Sequence, residues 1–239
     1  MNARTFLRAL LCAAVFSVAT SASAAEEAQA APLKIGIVGT GNIGGALAKH
    51  WAKAGHELVI SSRHPEELQS LAKSLGPKVR VGTPLEAAQF GDVILLSVPY
   101  KATPQVGQDL ASAWKGKIVL DTGNPYPMRD GTMALDARKR GTGVTSKEFL
   151  PGVRVVRAFN AINWDDLANQ GNHKPERWAI PLASDDAEGL KVAERLVRDA
   201  GFDPVVVGGL ARAHEFDVGT KVYTELQTAK QLREALGLK

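Results

Sequence analysis

Residues 33–63 read LKIGIVGTGNIGGALAKHWAKAGHELVISSR, and the fold turns on them. Leu33 to Val38 is a short apolar run, the pattern of a buried strand. Gly39-Thr40-Gly41-Asn42-Ile43-Gly44 follows it as a G-x-G-x-x-G. Apolar residues then recur at helical spacing (Ile43, Ala46, Leu47, Trp51, Ala54) until Gly55 stops the helix and Glu57 to Ile60 starts a second strand. A glycine triplet alone says little. Set between a strand and a helix, it is the fingerprint of a dinucleotide-binding turn. Gly39 permits the tight turn, Gly41 lets backbone approach a pyrophosphate, and Gly44 lets helix and strand pack closely. The helix start presents free N–H groups and the positive end of its dipole to phosphate.

The end of the second strand selects the dinucleotide. A carboxylate there accepts from a ribose 2′-hydroxyl and repels a 2′-phosphate. This chain has Ser61-Ser62-Arg63-His64 instead. A pair of hydroxyls and a guanidinium suit a phosphate, so the expected cofactor is NADP(H), with Ser62 and Arg63 on the 2′-phosphate. The same residues also suit a helix entry, with Ser62 or His64 capping and Pro65 in the first turn.

Outward from this unit, strands and helices alternate. Residues 65–75 read as a helix and 79–81 as a strand. Thr83-Pro84-Leu85-Glu86 reads as a capping box opening a helix at 84–90. Asp92 to Val98 is a continuous apolar strand. Thr103-Pro104 is expected to cap a helix reaching Trp114, with strands at 117–121 and 153–159 beyond it. The expected fold class is α/β: a Rossmann-type, doubly wound, mainly parallel sheet with helices on both faces. Residues 33–163 form its NADP-binding domain, and 164–239 a small C-terminal α/β region. That region should hold a short helix at 164–169, a strand at 178–183, a helix from Ser184-Asp185-Asp186 to Ala200, a strand at 204–207, an irregular stretch at 208–221 and a last helix at 222–236.

In such sheets ligands lie beyond the carboxyl ends of the strands. That singles out Val98, Pro99 and Tyr100 after the fourth strand, Asn124 after the fifth and Asn160 after the sixth. Val98 and Pro99 should pack the adenine or ribose side, and Asn124 and Asn160 should face the nicotinamide and its reaction partner. Ordinary turn chemistry explains Pro99, Asn124-Pro125 and Asn160 equally well.

The chain has 239 residues, 29 basic and 25 acidic, for a formal charge of +4. Two of the basic residues, Arg4 and Arg8, open a leader, so the balance argues against nucleic acid or an anionic membrane as partner. Residues 1–24 have the pattern of a signal peptide: a basic start, an apolar core from Leu7 to Ala19 and an Ala22-Ser23-Ala24 cleavage site. A periplasmic or secreted protein is expected, or a cytoplasmic one if the start codon lies downstream. No membrane attachment is expected after cleavage. Residues 25–32 read as a linker. The single cysteine, Cys12, lies in the leader, so the mature chain is expected to lack disulfide and thiol chemistry.

The strand ends offer Ser, Thr, Asn and Pro, with no Ser-His-Asp set and no catalytic lysine in view. His50, His56, His64, His173 and His214 lack metal-ligand spacing, and the first two suit packing or surface roles. Asp165-Asp166 and Asp185-Asp186 read as helix-start charges, and the run at 138–140 as a solvated helix face. No catalytic side chain and no metal site is assigned. Hydride transfer fits such a site, because it needs stacking and distance rather than a strong acid or base.

The segments GTGNIG, SSRHP, DVILLSVPY, DTGNPYPMRDG, RVVRAFNAINW and DAGFDPVVVGGL together resemble the coenzyme F-420-dependent NADP reductase family. They are also similar to the oxidoreductase domain of the STEAP-type metalloreductases. The resemblance spans roughly 33–210, its NPYP and RAFN segments being the more specific. It implies that Thr40, Gly41, Asn42 and Ile43 contact the dinucleotide phosphates, that Ser62 and Arg63 take the 2′-phosphate, and that Val98 and Pro99 line the cofactor. The turn at Ala158–Asn160 would face a hydride acceptor of flavin or deazaflavin type. Two other functions remain open: a dehydrogenase of the hydroxyacid or imine type, and a non-catalytic NADP-binding sensor. The first usually needs a large helical second domain, which the strand signals after Asn160 do not suggest. A small-molecule hydride acceptor or donor is the expected partner, with a homo-oligomer plausible.

Overall fold

The computed structural model describes residues 31–239. The leader, Cys12 and most of the linker lie outside them. Residues 33–239 form one compact unit around an eight-stranded sheet. Its strands are β1 (Lys34–Val38), β2 (Glu57–Ser61), β3 (Val79–Gly82), β4 (Val93–Leu96), β5 (Ile118–Asp121), β6 (Arg154–Arg157), β7 (Ala179–Ala183) and β8 (Asp203–Gly208). The order across the sheet is β3-β2-β1-β4-β5-β6-β7-β8. The first six strands are parallel. β7 meets β6 antiparallel through the single pair Arg157–Ala183, and β8 runs parallel to β7. The doubly wound reading holds, and the sheet runs through the expected boundary at 163/164. Residues 164–239 therefore extend the sheet by two strands.

Alternation within the strands shows why they read as unbroken apolar runs. Ile35, Ile37, Leu58, Ile60, Val93, Leu95, Ile118 and Leu120 point into one core cluster. Val38, Val59, Ile94, Leu96, Val119 and Val155 point into the cluster on the other face. Both faces are buried along the middle of these strands, so their central positions are apolar and the polar residues fall mostly at strand ends. Helices Asn42–Lys53 and Ala187–Asp199 contribute Leu47, Trp51, Leu196 and Val197 to the first cluster. The Trp51 indole N–H donates to Leu196 O at 2.9 Å, and His56 Nε2 lies 2.9 Å from Asp199 Oδ2, so His56 has a packing role. A third cluster lies around β7, β8 and the last helix.

Several element boundaries differ from expectation. The capping box at Thr83–Glu86 forms as read. Thr103 caps nothing; it already lies inside helix Thr103–Asp109, which follows a 3-10 turn at Tyr100–Ala102 and breaks at Leu110 before Ala111–Trp114. The stretch 65–75 opens as a 3-10 turn, Pro65–Leu68, before the α-helix Gln69–Leu75. Residues 208–221 contain a 3-10 segment, Leu210–Phe216. The last helix spans Ala229–Ala235, with a Thr228–Gln231 capping box at its start. Gln227 O accepts from Ala179 N and Trp178 bridges to Thr228, so this backbone runs extended beside β7 and cannot coil. Three helices between β5 and β6, Pro127–Asp130, Thr132–Arg140 and Thr142–Phe149, go beyond the single solvated face expected at 138–140. Asp165 and Asp166 do lie in a first helical turn, and Asp186 caps Ala187–Asp199. Among the described residues no helix is long and apolar enough to cross a membrane.

Candidate functional site

The chain runs outward from β1 to β3, then returns to place β4 on the other side of β1. The crevice of a doubly wound sheet opens at this switch, at the carboxyl ends of β1 and β4. Gly39 sits there with φ +99°, and a methyl on it would lie 2.2 Å from Ser97 O. Only glycine fits that turn. Gly44 is closed in, since a Cβ there would lie 2.2 Å from Gly39 O. Gly41 differs from both: nothing lies within 4 Å of its missing Cβ, and it caps the helix with no side-chain hydrogen bond. The first turn of that helix carries no acid. An uncapped helix start beside open space suits a pyrophosphate. Asn42 is exposed beside it, and Thr40 and Ile43 are half-buried.

The turn is tied down from β2. Ser61 O accepts from Gly39 N (3.1 Å), Thr40 N (2.9 Å) and Thr40 Oγ1 (3.0 Å). The Ser61 hydroxyl is buried and donates to Ile37 O at 2.7 Å. Ser61 thus holds the loop and offers no hydroxyl to a ligand, which corrects its expected place in the hydroxyl pair. Ser62 Oγ accepts from His64 N at 3.0 Å, leaving its own proton to donate. Arg63 is exposed, with no ion-pair partner among the described residues. His64, Glu66 and Glu67 bring ligand-type atoms within 4.8 Å of one another on the exposed surface, a grouping that histidine spacing alone does not reveal.

After β4, Val98 is half-buried beside Gly39 and Pro99 is exposed. Tyr100, expected at the ligand, is instead fully buried, its hydroxyl 2.7 Å from Thr145 Oγ1. Burial pushes its phenol up. Its ring also meets Phe149 edge-on, so the side chain is turned into the core against helix Thr142–Phe149 and away from the crevice.

Asn124 and Asn160 do come together. Asn124 Nδ2 donates to Asn160 O at 2.8 Å and to the Tyr223 hydroxyl at 3.3 Å, while Asn160 Nδ2 donates to Phe216 O at 3.3 Å. Both amide oxygens are buried without a donor among the described residues. Native proteins seldom leave such atoms unpaired, and a carboxamide N–H is the kind of group that completes them. Phe159, just before Asn160, has φ +57°, an outlier for a bulky residue.

Side chains absent from the sequence reading hold this second half together. Arg157 is fully buried and donates to Asp121 Oδ2 (2.8 Å) and Gly123 O (2.8 Å), with Asp217 Oδ1 at 3.4 Å. Burial would lower the Arg157 pKa, but Asp121 and Asp217 hold it above the usual arginine range. Asp217 Oδ2 accepts from Thr142 N at 2.9 Å. Arg129 donates to Asn124 O at 2.7 Å and grips the buried Asp130 through two nitrogens. Burial would raise the Asp130 carboxyl, but Arg129 and the N–H groups of Tyr126 and Lys101 hold it below the usual range. An arginine at the carboxyl end of strand RVVR, directly before the apolar Ala158-Phe159, was the sequence signal for this network. The NPYPMRD run was a second.

Comparison with known proteins agrees with this geometry. Residues 34–125 match the family described as NADP oxidoreductase, coenzyme F420-dependent. The F420-dependent NADP reductase of Methanothermobacter marburgensis is 30% identical over 217 residues, covering 85% of this chain and 96% of that protein. The metalloreductase STEAP3 of Rattus norvegicus is 29% identical over 204 residues, 84% of this chain but 38% of that protein. Among solved structures, a hypothetical protein of Sinorhizobium meliloti superposes with a TM-score of 0.73 at 27% identity, covering 83% of this chain and 96% of that one.

Proposed function

The chain belongs to the coenzyme F420-dependent NADP reductase family, and from that membership we propose that it exchanges hydride between NADP(H) and a flavin- or deazaflavin-type acceptor. The observation that carries the dinucleotide half is the uncapped helix start at Gly41, open where a side chain would sit, with Ser62 and Arg63 beyond β2 in place of an acid. Helix N–H groups bind the diphosphate, the Ser62 hydroxyl donates to a 2′-phosphate, and Arg63 neutralises it. Asn124 and Asn160 orient a carboxamide at the carboxyl ends of β5 and β6. The dinucleotide supplies the hydride when bound. The protein's task is to fix the distance and stacking of two rings.

The test is direct. Protein mixed with NADPH and, in turn, FMN, a deazaflavin and a 2-keto acid is followed at the nicotinamide absorbance band. Oxidation is expected with the flavin-type acceptors and not with the keto acid. Oxidation only with the keto acid would support a hydroxyacid-type dehydrogenase, and binding without turnover a sensor. For location, the leader pattern at 1–24 supports export to the periplasm or beyond. A mature N-terminus at Ala25 by mass spectrometry is the expected result; a chain initiated downstream of the leader would return the protein to the cytoplasm.

A further inference from the structure

Tyr126 and Tyr223 lie 97 positions apart in the chain, yet their hydroxyls are hydrogen-bonded to each other. Either hydroxyl could donate in that bond, and burial decides between them: Tyr223 is half-buried and Tyr126 exposed, so the Tyr223 proton is the one that needs a protein partner. Asn124 Nδ2 donates to the Tyr223 oxygen at 3.3 Å. The Tyr223 oxygen is thereby an acceptor, and its proton is best used toward Tyr126. The Tyr126 proton is then left over. Its ring is 37% exposed, so the chain Asn124 N–H, Tyr223 O–H, Tyr126 O–H ends in a donor at the surface of the site. Such chains polarise in one direction and strengthen their last member.

Two further observations place this donor. The Arg129 guanidinium carbon stands 5.0 Å from the centre of the Tyr126 ring, and Asp130 fixes Arg129 there. Of the three non-glycine residues with positive φ among the described residues, Phe159 precedes Asn160 and Thr224 (φ +60°) follows Tyr223. Thr224 N donates to Ala161 O at 2.8 Å, joining the two strained turns. Backbone strain of this kind persists where function needs a side chain held in place.

We propose that Tyr126, positioned by Tyr223, donates a hydrogen bond to the negative charge that appears on the acceptor ring as it is reduced. The proposal rests on the hydride-exchange reading above. In that step a C–H bond of the dihydropyridine breaks and its electron pair and hydrogen form a new bond on the acceptor. The dihydropyridine is oxidised to the pyridinium, and the acceptor is reduced by two electrons and becomes an anion. The anion's proton comes from water. A donor aimed at charge that exists only after transfer favours the reduced acceptor over the oxidised one. Burial, with the bond to Tyr126, pushes the Tyr223 phenol well up, so it keeps its proton throughout the neutral range. Tyr126 touches the acceptor; Tyr223 acts through it as a positioning residue.

The experiment uses the mature protein with Tyr126→Phe, Tyr223→Phe and the double variant. Anaerobic titrations with oxidised FMN and with dithionite-reduced FMN give two dissociation constants and their ratio. Wild type should prefer the reduced form. Tyr126→Phe should lose about tenfold of that preference, the scale of a hydrogen bond to a charged group. Tyr223→Phe should lose less, and the double variant no more than Tyr126→Phe alone, with NADPH affinity unchanged in Tyr126→Phe. An unchanged ratio in both single variants overturns the proposal while leaving hydride exchange standing. A wild type that binds NADPH but neither form of FMN nor of 5-deaza-FMN overturns the hydride-exchange reading, and the proposal with it. Tyr126 is exposed, so its truncation by one oxygen tests the idea without endangering the fold.

Discussion

The two halves of the site are built by different means. The phosphate half, Gly39–Gly44 with Ser61–Arg63, is a backbone construction. Ser61 O gathers two N–H groups of the turn, and missing side chains at Gly39, Gly41 and Gly44 shape the space. The acceptor half is a side-chain construction. Asn124, Tyr126, Arg129, Arg157, Asp217 and Tyr223 hold one another across separations of up to 99 residues. Backbone sites can be written in a short stretch of sequence because glycine placement and element order suffice. Side-chain sites are written in pairs of distant residues, each ordinary by itself.

The largest effect that would break this contrast is expected at Arg157. If the acceptor half depends on side chains, removing its buried cation should be severe. Arg157→Ala leaves the Asp121 carboxylate, itself fully buried, without its partner. Stripping one member from a buried ion pair costs about 3–5 kcal/mol. Urea denaturation should show that loss. A change below about 1 kcal/mol would mean the strand ends hold themselves, as the glycine turn does.

The same contrast governs what the sequence disclosed. All eight strands were legible, because each is a short stretch rich in apolar residues between turn residues, and the central ones are buried on both faces. The helix at 84–90 was legible from four residues, since a capping box is local. Ser61 and Tyr100 were misplaced for one reason: each stands at the right strand end, but only the packed structure shows which way its side chain turns. The last helix was overextended because pairing of Gln227 and Thr228 with the start of β7 is a long-range event. Tyr223 was invisible as a site residue, since only the fold brings it to Asn124.

Within the phosphate half, two glycines sharpen the comparison. Gly44→Ala forces a methyl to 2.2 Å from Gly39 O, and overpacking of this kind costs about 1–3 kcal/mol of stability. Gly41→Ala meets nothing within 4 Å, so stability should move by less than about 0.5 kcal/mol. Its methyl would instead occupy the place of the diphosphate, and NADPH affinity should fall about tenfold. Thermal melts and fluorescence titrations of the two variants should therefore fail in opposite columns. Equal loss of stability in both would remove the case for an open cradle at Gly41.

Arg63→Ala is expected to act on one ligand only. Losing a charge-assisted bond from an exposed side chain should weaken NADPH about tenfold and leave NADH unchanged. The difference should narrow in high salt, because the contact is solvent-screened. Equal weakening of both dinucleotides would place Arg63 on the diphosphate instead.

The smallest effect separates the halves by pH. Burial opposes ionisation of Asp130, yet Arg129 and two backbone N–H groups hold its carboxyl below the ordinary value of 3.8. A group whose pKa is lower folded than unfolded contributes stability above its unfolded pKa, and that contribution is lost as pH falls through the folded one. The stability gap between wild type and Asp130→Asn should accordingly be flat above about pH 5 and close only below about pH 4. NADPH affinity of the variant at neutral pH should fall only about two- to threefold, because Asp130 touches nothing in the glycine loop and reaches the dinucleotide only through its brace on the turn at Asn124. A loss of dinucleotide binding in Asp130→Asn as large as that of Gly41→Ala would show that the side-chain half also supports the backbone half, and that the two are mechanically one site.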